Sequence, residues 1–181
     1  MNGRPSRRGF LLGAAALALP IRVRAEAAFA PSAATLARPA APIRDANGLQ
    51  MRDGDGSPRQ IDEFAGKIVV LSLWGPWCLP CRREMPSLAR LADRLDPGRA
   101  VVLPLAFDWR GAAGVRRFYR ETAITNLPIL VGEGDNLKAV LGIENLPTTV
   151  LLNATGQMIA RVEGEAHWDD DATLDWISGL G

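Results

Sequence analysis

Two cysteines and one histidine are all that this 181-residue chain offers in thiols and imidazoles, and each shortage excludes a class of chemistry. Two cysteines are too few for a scaffold stapled by disulfides. A structural zinc site needs four ligands, and here Cys78 and Cys81 are joined only by His167, far along the chain. Covalent haem attachment needs a histidine directly after the second cysteine, where Arg82 stands instead. There is no internal repeat. Asp53-Gly54-Asp55-Gly56 lacks the spaced ligands and closing glutamate of a calcium loop, and so reads as a turn. The apolar run from Phe10 to Leu19 falls short of the roughly 20 residues that span a bilayer.

That short run has basic flanks. Arg4, Arg7 and Arg8 precede it; Pro20, Arg22, Arg24 and Ala25 follow. Residues 1–27 therefore read as an export signal, and Ser6-Arg7-Arg8-Gly9-Phe10-Leu11 resembles the twin-arginine type. Cleavage is expected after Ala25 or Ala27, with the periplasm as destination. No cysteine lies nearby, so a lipoprotein anchor is not expected. Five of the 21 basic residues and none of the 20 acidic ones fall within residues 1–25, leaving sixteen basic against twenty acidic from Glu26 onward. A mildly acidic domain gives no reason to expect nucleic acid or an anionic membrane as partner. A monomer is expected.

Residues 28–41, rich in Ala and Pro, read as a flexible tether, and residues 42–181 as one domain. Turn signals at Asn47-Gly48 and 53–56 suggest a β-hairpin laid on the domain edge. Ile68 to Trp74 is a continuous apolar run, as expected of a strand buried on both faces. Gly75-Pro76 breaks it. A helix is expected from Cys78 to Leu95, with Met85, Leu88, Leu91 and Leu95 inward and Pro86 within it. Strands are expected at 100–107, 129–131, 148–152 and 157–162. Helices are expected at 114–122, 136–141 and 168–180, the last capped by one of Asp169 to Asp171. The alternation of strands and helices, closed by a terminal hairpin, predicts an α/β or α+β three-layer domain.

Strand, turn, Cys-X-X-Cys and helix in that order suit a redox dithiol. A helix N-terminus favours a thiolate, the attacking species in disulfide exchange. Cys78 is the expected nucleophile, and Cys81, three residues on and more shielded, the resolving thiol. Cys81 and Glu84 are an i, i+3 pair on one helix face. The rival reading makes the same two cysteines ligands of a copper-binding module.

The stretch Trp74-Gly75-Pro76-Trp77-Cys78-Leu79-Pro80-Cys81, with Leu146-Pro147-Thr148-Thr149 downstream, resembles the thioredoxin superfamily. More narrowly, Cys81-Arg82-Arg83-Glu84-Met85-Pro86, Phe64-Ala65-Gly66-Lys67 and Leu151-Leu152-Asn153-Ala154-Thr155-Gly156 resemble exported TlpA/ResA-type thiol–disulfide reductases. The resemblance implies an α/β, thioredoxin-like fold over residues 42–180, a central mixed β-sheet flanked by helices with an N-terminal β-hairpin extension and a helix–strand insertion, and a protein-disulfide reductase with no cofactor or metal. It implies a cis-proline at Pro147 facing the dithiol, substrate pairing along the Leu146 backbone, and a proton-exchanging carboxyl at Glu84. Trp77, Leu79, Pro80, Leu146 and Thr148 are the expected substrate contacts. Thioredoxins proper carry a buried aspartate where Ser72 stands, which leaves Glu84 as the candidate proton carrier. The implied partners are an apocytochrome c or a copper-site protein as substrate and a DsbD/CcdA-type membrane thiol transporter as electron donor. A disulfide oxidase or isomerase on the same fold is the nearer alternative. Sco-type copper proteins share the fold, but space their cysteines by three and place their histidine before the strand that His167 follows.

Overall fold

The computed structural model describes residues 30–180. The export-signal reading of residues 1–27 lies outside them. Among the described residues, none of the helices is long and apolar enough to cross a membrane.

Eight strands form one mixed sheet: β1 (Arg38–Pro39), β2 (Met51–Asp53), β3 (Pro58–Arg59), β4 (Ile68–Trp74), β5 (Ala100–Ala106), β6 (Leu130–Gly132), β7 (Thr148–Leu152) and β8 (Met158–Glu163). Their order is β1-β8-β7-β4-β5-β6-β2-β3. β4 lies at the centre, parallel to β5 and antiparallel to β7, and all seven of its residues are buried. The two parallel neighbours β4 and β5 need helical crossovers, and α2 (Leu79–Arg94) supplies the first. α3 (Ala112–Thr122) follows β5, and α4 (Gly134–Leu141) follows β6. This is the thioredoxin-like architecture with its helix–strand insertion. α2 runs unbroken through Pro86. α5 (Asp171–Ser178) starts three residues later than expected, where the Asp170 carboxylate accepts from Thr173 N at 2.9 Å.

Alternation along β4 divides the core. Val70 and Trp74 face a layer made with Met85, Leu88 and Leu91 of α2, Val115 and Phe118 of α3, and Ile177 of α5. Val69, Leu71 and Leu73 face the opposite layer, closed by Leu137 and Leu141 of α4 and by Ile61 of a 3-10 turn at Ile61–Phe64.

The hairpin forms as expected, β2 against β3, and β2 joins β6 to cap one sheet edge. The Asp53 carboxylate accepts from the backbone N–H groups of Asp55 and Ser57 at 2.9 and 3.0 Å, so it serves the turn itself.

The flexible-tether reading is corrected for residues 30–41. Ala33–Leu36 forms a short helix, α1, and β1 pairs antiparallel with β8, at Arg38 with Arg161 and Pro39 with Ala160. Ala33 is fully buried, and its N–H donates to His167 O at 2.9 Å. The edge of β8 would otherwise present unpaired N–H and C=O groups, and a proline is tolerated on the edge strand that covers them. Small alanine side chains let the segment lie flat, which is why composition alone reads as a linker.

Candidate active site

β4 ends at Trp74, and the chain turns sharply into α2. The turn needs Gly75: a Cβ there would fall 2.7 Å from Trp77 Nε1 and 3.0 Å from Phe107 O. The same Trp77 Nε1 donates to Phe107 O at 2.7 Å, fixing the indole across the turn while leaving it 54% exposed. Cys78 N donates to Gly75 O at 2.9 Å. Cys78 is then the N-cap of α2, one position outside the first turn, and Pro80 stands at the start, where a missing N–H is harmless.

Cys78 and Cys81 form a disulfide, with Cα atoms 5.3 Å apart. Cys81 N donates to Cys78 Sγ at 3.3 Å, so an otherwise orphaned helix N–H is aimed at the first sulfur. The two sulfurs differ in access: Cys78 is 7% exposed and Cys81 0%. Leu79, 63% exposed, stands on the rim, and Pro80 is half-buried.

The Leu146–Pro147 bond is cis and Pro147 is buried. Because Leu73 is in register with Thr148, this bond lies just past the end of β4, at the same sheet end as the dithiol turn. Pro147 O accepts from Gly164 N at 2.9 Å. Leu146 remains partly exposed beside Trp77, lining a groove of about 430 Å³ with Phe107, Leu137 and Ile143. Thr148 departs from expectation. It is buried, and its hydroxyl donates to Asn145 O at 2.8 Å. Strand alternation turns its side chain toward Val150 and Leu152, away from the dithiol. It holds the proline loop and is not available as a substrate contact.

Glu84 sits one turn past Cys81 and is buried. Oε2 accepts from Ala166 N at 3.1 Å; Oε1 has no hydrogen-bond partner. Burial raises its pKa from the usual 4.5 to about 8, against weaker opposing pulls from the Ala166 N–H and the Trp168 indole. That indole N–H makes no well-formed hydrogen bond itself. One turn on, Ser87 Oγ accepts from Trp168 N at 3.3 Å and donates to Glu84 O at 2.8 Å.

Several contributors here were invisible as local motifs. Arg83 makes a two-pronged ion pair with Glu165, Arg90 pairs with Asp169, and Arg94 with Asp171. Positions 83, 90 and 94 lie along one flank of α2, so the three pairs fasten segment 165–171 to the helix and set Ala166 N against Glu84. The only local signal was three arginines on one face opposite a downstream acidic cluster. His167 is half-buried, with Nε2 3.1 Å from Asp169 Oδ1. Among the described residues, no group of three or more His, Cys, Asp or Glu side chains is placed to hold a metal.

Comparison with known proteins agrees with this geometry. Residues 42–161 match the model of the AhpC/TSA family. The chain is 28% identical over 122 residues to the thiol–disulfide oxidoreductase ResA of Bacillus thuringiensis subsp. konkukian, covering 67% of this chain and 69% of that one. It superposes on a DsbF homologue from Corynebacterium diphtheriae with a TM-score of 0.60 at 21% identity, covering 79% and 90% of the two chains. A secreted disulfide oxidoreductase of Mycobacterium tuberculosis gives 0.60 at 21% identity, covering 74% and 96%. At that identity the two structures establish the fold.

Proposed function

The chain belongs to the AhpC/TSA family and is a thiol–disulfide oxidoreductase, and we propose that it works outside the cytoplasm as a reductase of disulfides in partner proteins. The observation that carries the direction of attack is the inequality of the two sulfurs. Cys78 retains access at a helix N-cap; Cys81 has none and lies one turn from a buried carboxyl.

The exchange balances as follows. In the reduced protein the Cys78 thiolate attacks one sulfur of the substrate disulfide; a mixed disulfide forms and the other substrate sulfur leaves as a thiolate. Cys81 loses its proton and attacks Cys78 Sγ. The substrate departs as a dithiol and the protein is left with the disulfide described above. Glu84 sits where it can take the Cys81 proton, and burial holds it near the pKa such a task requires. Two electrons and two protons must then come from a donor. A membrane thiol transporter of the DsbD/CcdA type is the donor the resemblance suggests, with apocytochrome c or copper-site cysteines as substrates. The cis Leu146–Pro147 turn, beside the dithiol, presents backbone to an extended substrate segment.

A protein substrate suits the surface. Of the large apolar side chains exposed among the described residues, Trp77 and Leu79 flank the dithiol and Trp109 follows Phe107 by two positions; Ile43 lies apart. The deciding measurement is the reduction potential of the pair. A value at or below about −270 mV supports a reductase, and one near about −120 mV means a disulfide donor. Tight stoichiometric Cu(I) binding without disulfide reduction would favour a copper-binding module instead.

A further inference from the structure

Beside the dithiol, on the flank away from the cis-proline, α2 and α3 enclose a cleft of about 280 Å³. Three guanidinium groups converge on it. Arg82 donates to Pro76 O at 3.1 Å and lies 4.8 Å from the Phe118 ring centroid. Arg110 packs over the Trp109 ring at 4.8 Å and pairs with Asp108. Arg117 donates to Glu121 Oε1 at 2.8 Å, and Arg82 reaches the same carboxylate at 3.6 Å. Asp108, buried beneath Arg110, offsets that guanidinium, so three arginines stand against two carboxylates, of which Glu121 alone faces outward into the cleft.

The setting makes this an exception to the domain's charge. From Glu26 onward acidic residues outnumber basic ones by twenty to sixteen, yet the cleft adjoining the redox centre is basic. On the other flank, the groove beside Leu146 carries Lys138 and Glu144 as a closed ion pair. Pro76 precedes Cys78 by two residues and Arg82 follows Cys81 directly, so any side chain seated in the cleft belongs to a segment near the disulfide under attack. Exposed Trp109 extends the cleft's outer wall through its stack with Arg110.

We propose that this cleft recognises acidic side chains of polypeptide substrates, a few residues from the disulfide that Cys78 attacks. The inference rests on the oxidoreductase reading and adds a substrate class to it: acidic polypeptides. Arg82 and Arg117 already hold the Glu121 carboxyl below its usual range, Arg117 more strongly, so the site has the chemistry to bind a second carboxylate.

The test uses three disulfide-bridged peptides that differ only in two residues flanking one cysteine: Asp, Asn or Lys. At low ionic strength the reduced protein should react with the Asp peptide about tenfold faster than with the Lys peptide, Asn falling between, and salt should compress the spread. Arg117→Ala should narrow the preference and Arg110→Ala/Arg117→Ala remove it. Neither should alter the rate with neutral 2-hydroxyethyl disulfide. Glu121→Gln, which releases two guanidiniums, should widen the preference. Equal rates for the Asp and Lys peptides, or a preference that survives the double substitution, would overturn the proposal. Failure to exchange with 2-hydroxyethyl disulfide itself would instead sink the oxidoreductase reading.

Discussion

One sheet carries two unlike faces. Toward the dithiol the core is aromatic and polar: Trp74 stacks on Tyr119 at 6.1 Å and packs against Phe118 at 5.1 Å, and Trp168 is fully buried nearby. Ser72 Oγ, Trp74 Nε1 and Thr149 Oγ1 are buried there without hydrogen-bond partners, and the Trp168 indole interacts with the Glu84 carboxyl without forming a well-made hydrogen bond. The opposite face is almost wholly aliphatic, with Leu71, Leu73, Leu103, Leu105, Val150 and Leu152, and its one strand hydroxyl, Thr148, is satisfied by Asn145 O. An unpartnered buried polar group costs about 1–3 kcal/mol. The dithiol face therefore gives up stability to hold chemistry, and the aliphatic face anchors the strands that carry it. Departures from local rules gather where function lies.

The division breaks most visibly at the sulfurs. Cys78→Ala is expected to abolish exchange, because no accessible sulfur is left to attack. Cys81→Ala should keep the attack and accumulate the mixed disulfide, resolvable by non-reducing electrophoresis. Adducts formed through Cys81 in the Cys78→Ala protein would mean that the burial asymmetry does not set the order of attack.

On the aliphatic face, Leu71→Ala removes a fully buried side chain from the central strand. It should lower unfolding free energy by about 2–5 kcal/mol in denaturant titration, while the exchange rate of the folded protein stays unchanged. A shifted reduction potential in this variant would show that the two faces are not separable.

Glu84 gives the contrast a sign. Its carboxyl stays protonated in the folded protein up to about pH 8, whereas in the unfolded chain it ionises near 4.5. Between those values the unfolded state binds fewer protons, so stability falls as pH rises, by up to about 1.4 kcal/mol per pH unit; below and above the window the group contributes no slope. Glu84→Gln should flatten that slope in the oxidised protein and raise Tm more at pH 8 than at pH 4. It should also remove an inflection near pH 8 from the thiol reactivity of the reduced protein. A thiol titration identical to wild type would end the proton-carrier role.

Much of this site was legible because its parts are local in sequence. Strand, glycine turn, Cys-X-X-Cys and helix follow within 68–94, and the Leu146-Pro147 signature precedes an apolar strand. Glu84 was reachable through the family resemblance, which its i, i+3 spacing from Cys81 supports. The aliphatic face was read as apolar strands, but not as a face: β4 is buried on both sides, so its run carries no alternation to say which residue looks which way. Thr148 enters the expected substrate contacts through the resemblance, which does not say which face of the strand its side chain takes. What set the environment of Glu84 was out of reach, because Ala166 and Trp168 lie 82 and 81 residues from their hydrogen-bond partners Glu84 and Ser87. Docking of residues 30–41 was hidden for a similar reason: the free edge of β8 that receives them exists only after the sheet has formed.

The smallest expected effect tests how the polar face is held in place. Arg83 and Glu165 are a solvent-facing pair, and such pairs add little to stability. Their leverage is on Glu84. Glu165 lies close enough for its charge to raise the Glu84 pKa, and the adjacent Ala166 N–H is the group that lowers it most. Arg83 neutralises the first and, by fastening Glu165, positions the second. Arg83→Ala removes both influences, and both losses push the Glu84 pKa up; the thiol-reactivity profile should move to higher pH with little change in Tm. Glu165→Gln deletes the repelling charge and should move the profile the other way while weakening the tie. Added salt should shrink the Arg83→Ala shift, because the pair is solvent-facing. Shifts of the same sign in the two variants would mean that Arg83 acts by holding the backbone alone, with no electrostatic part.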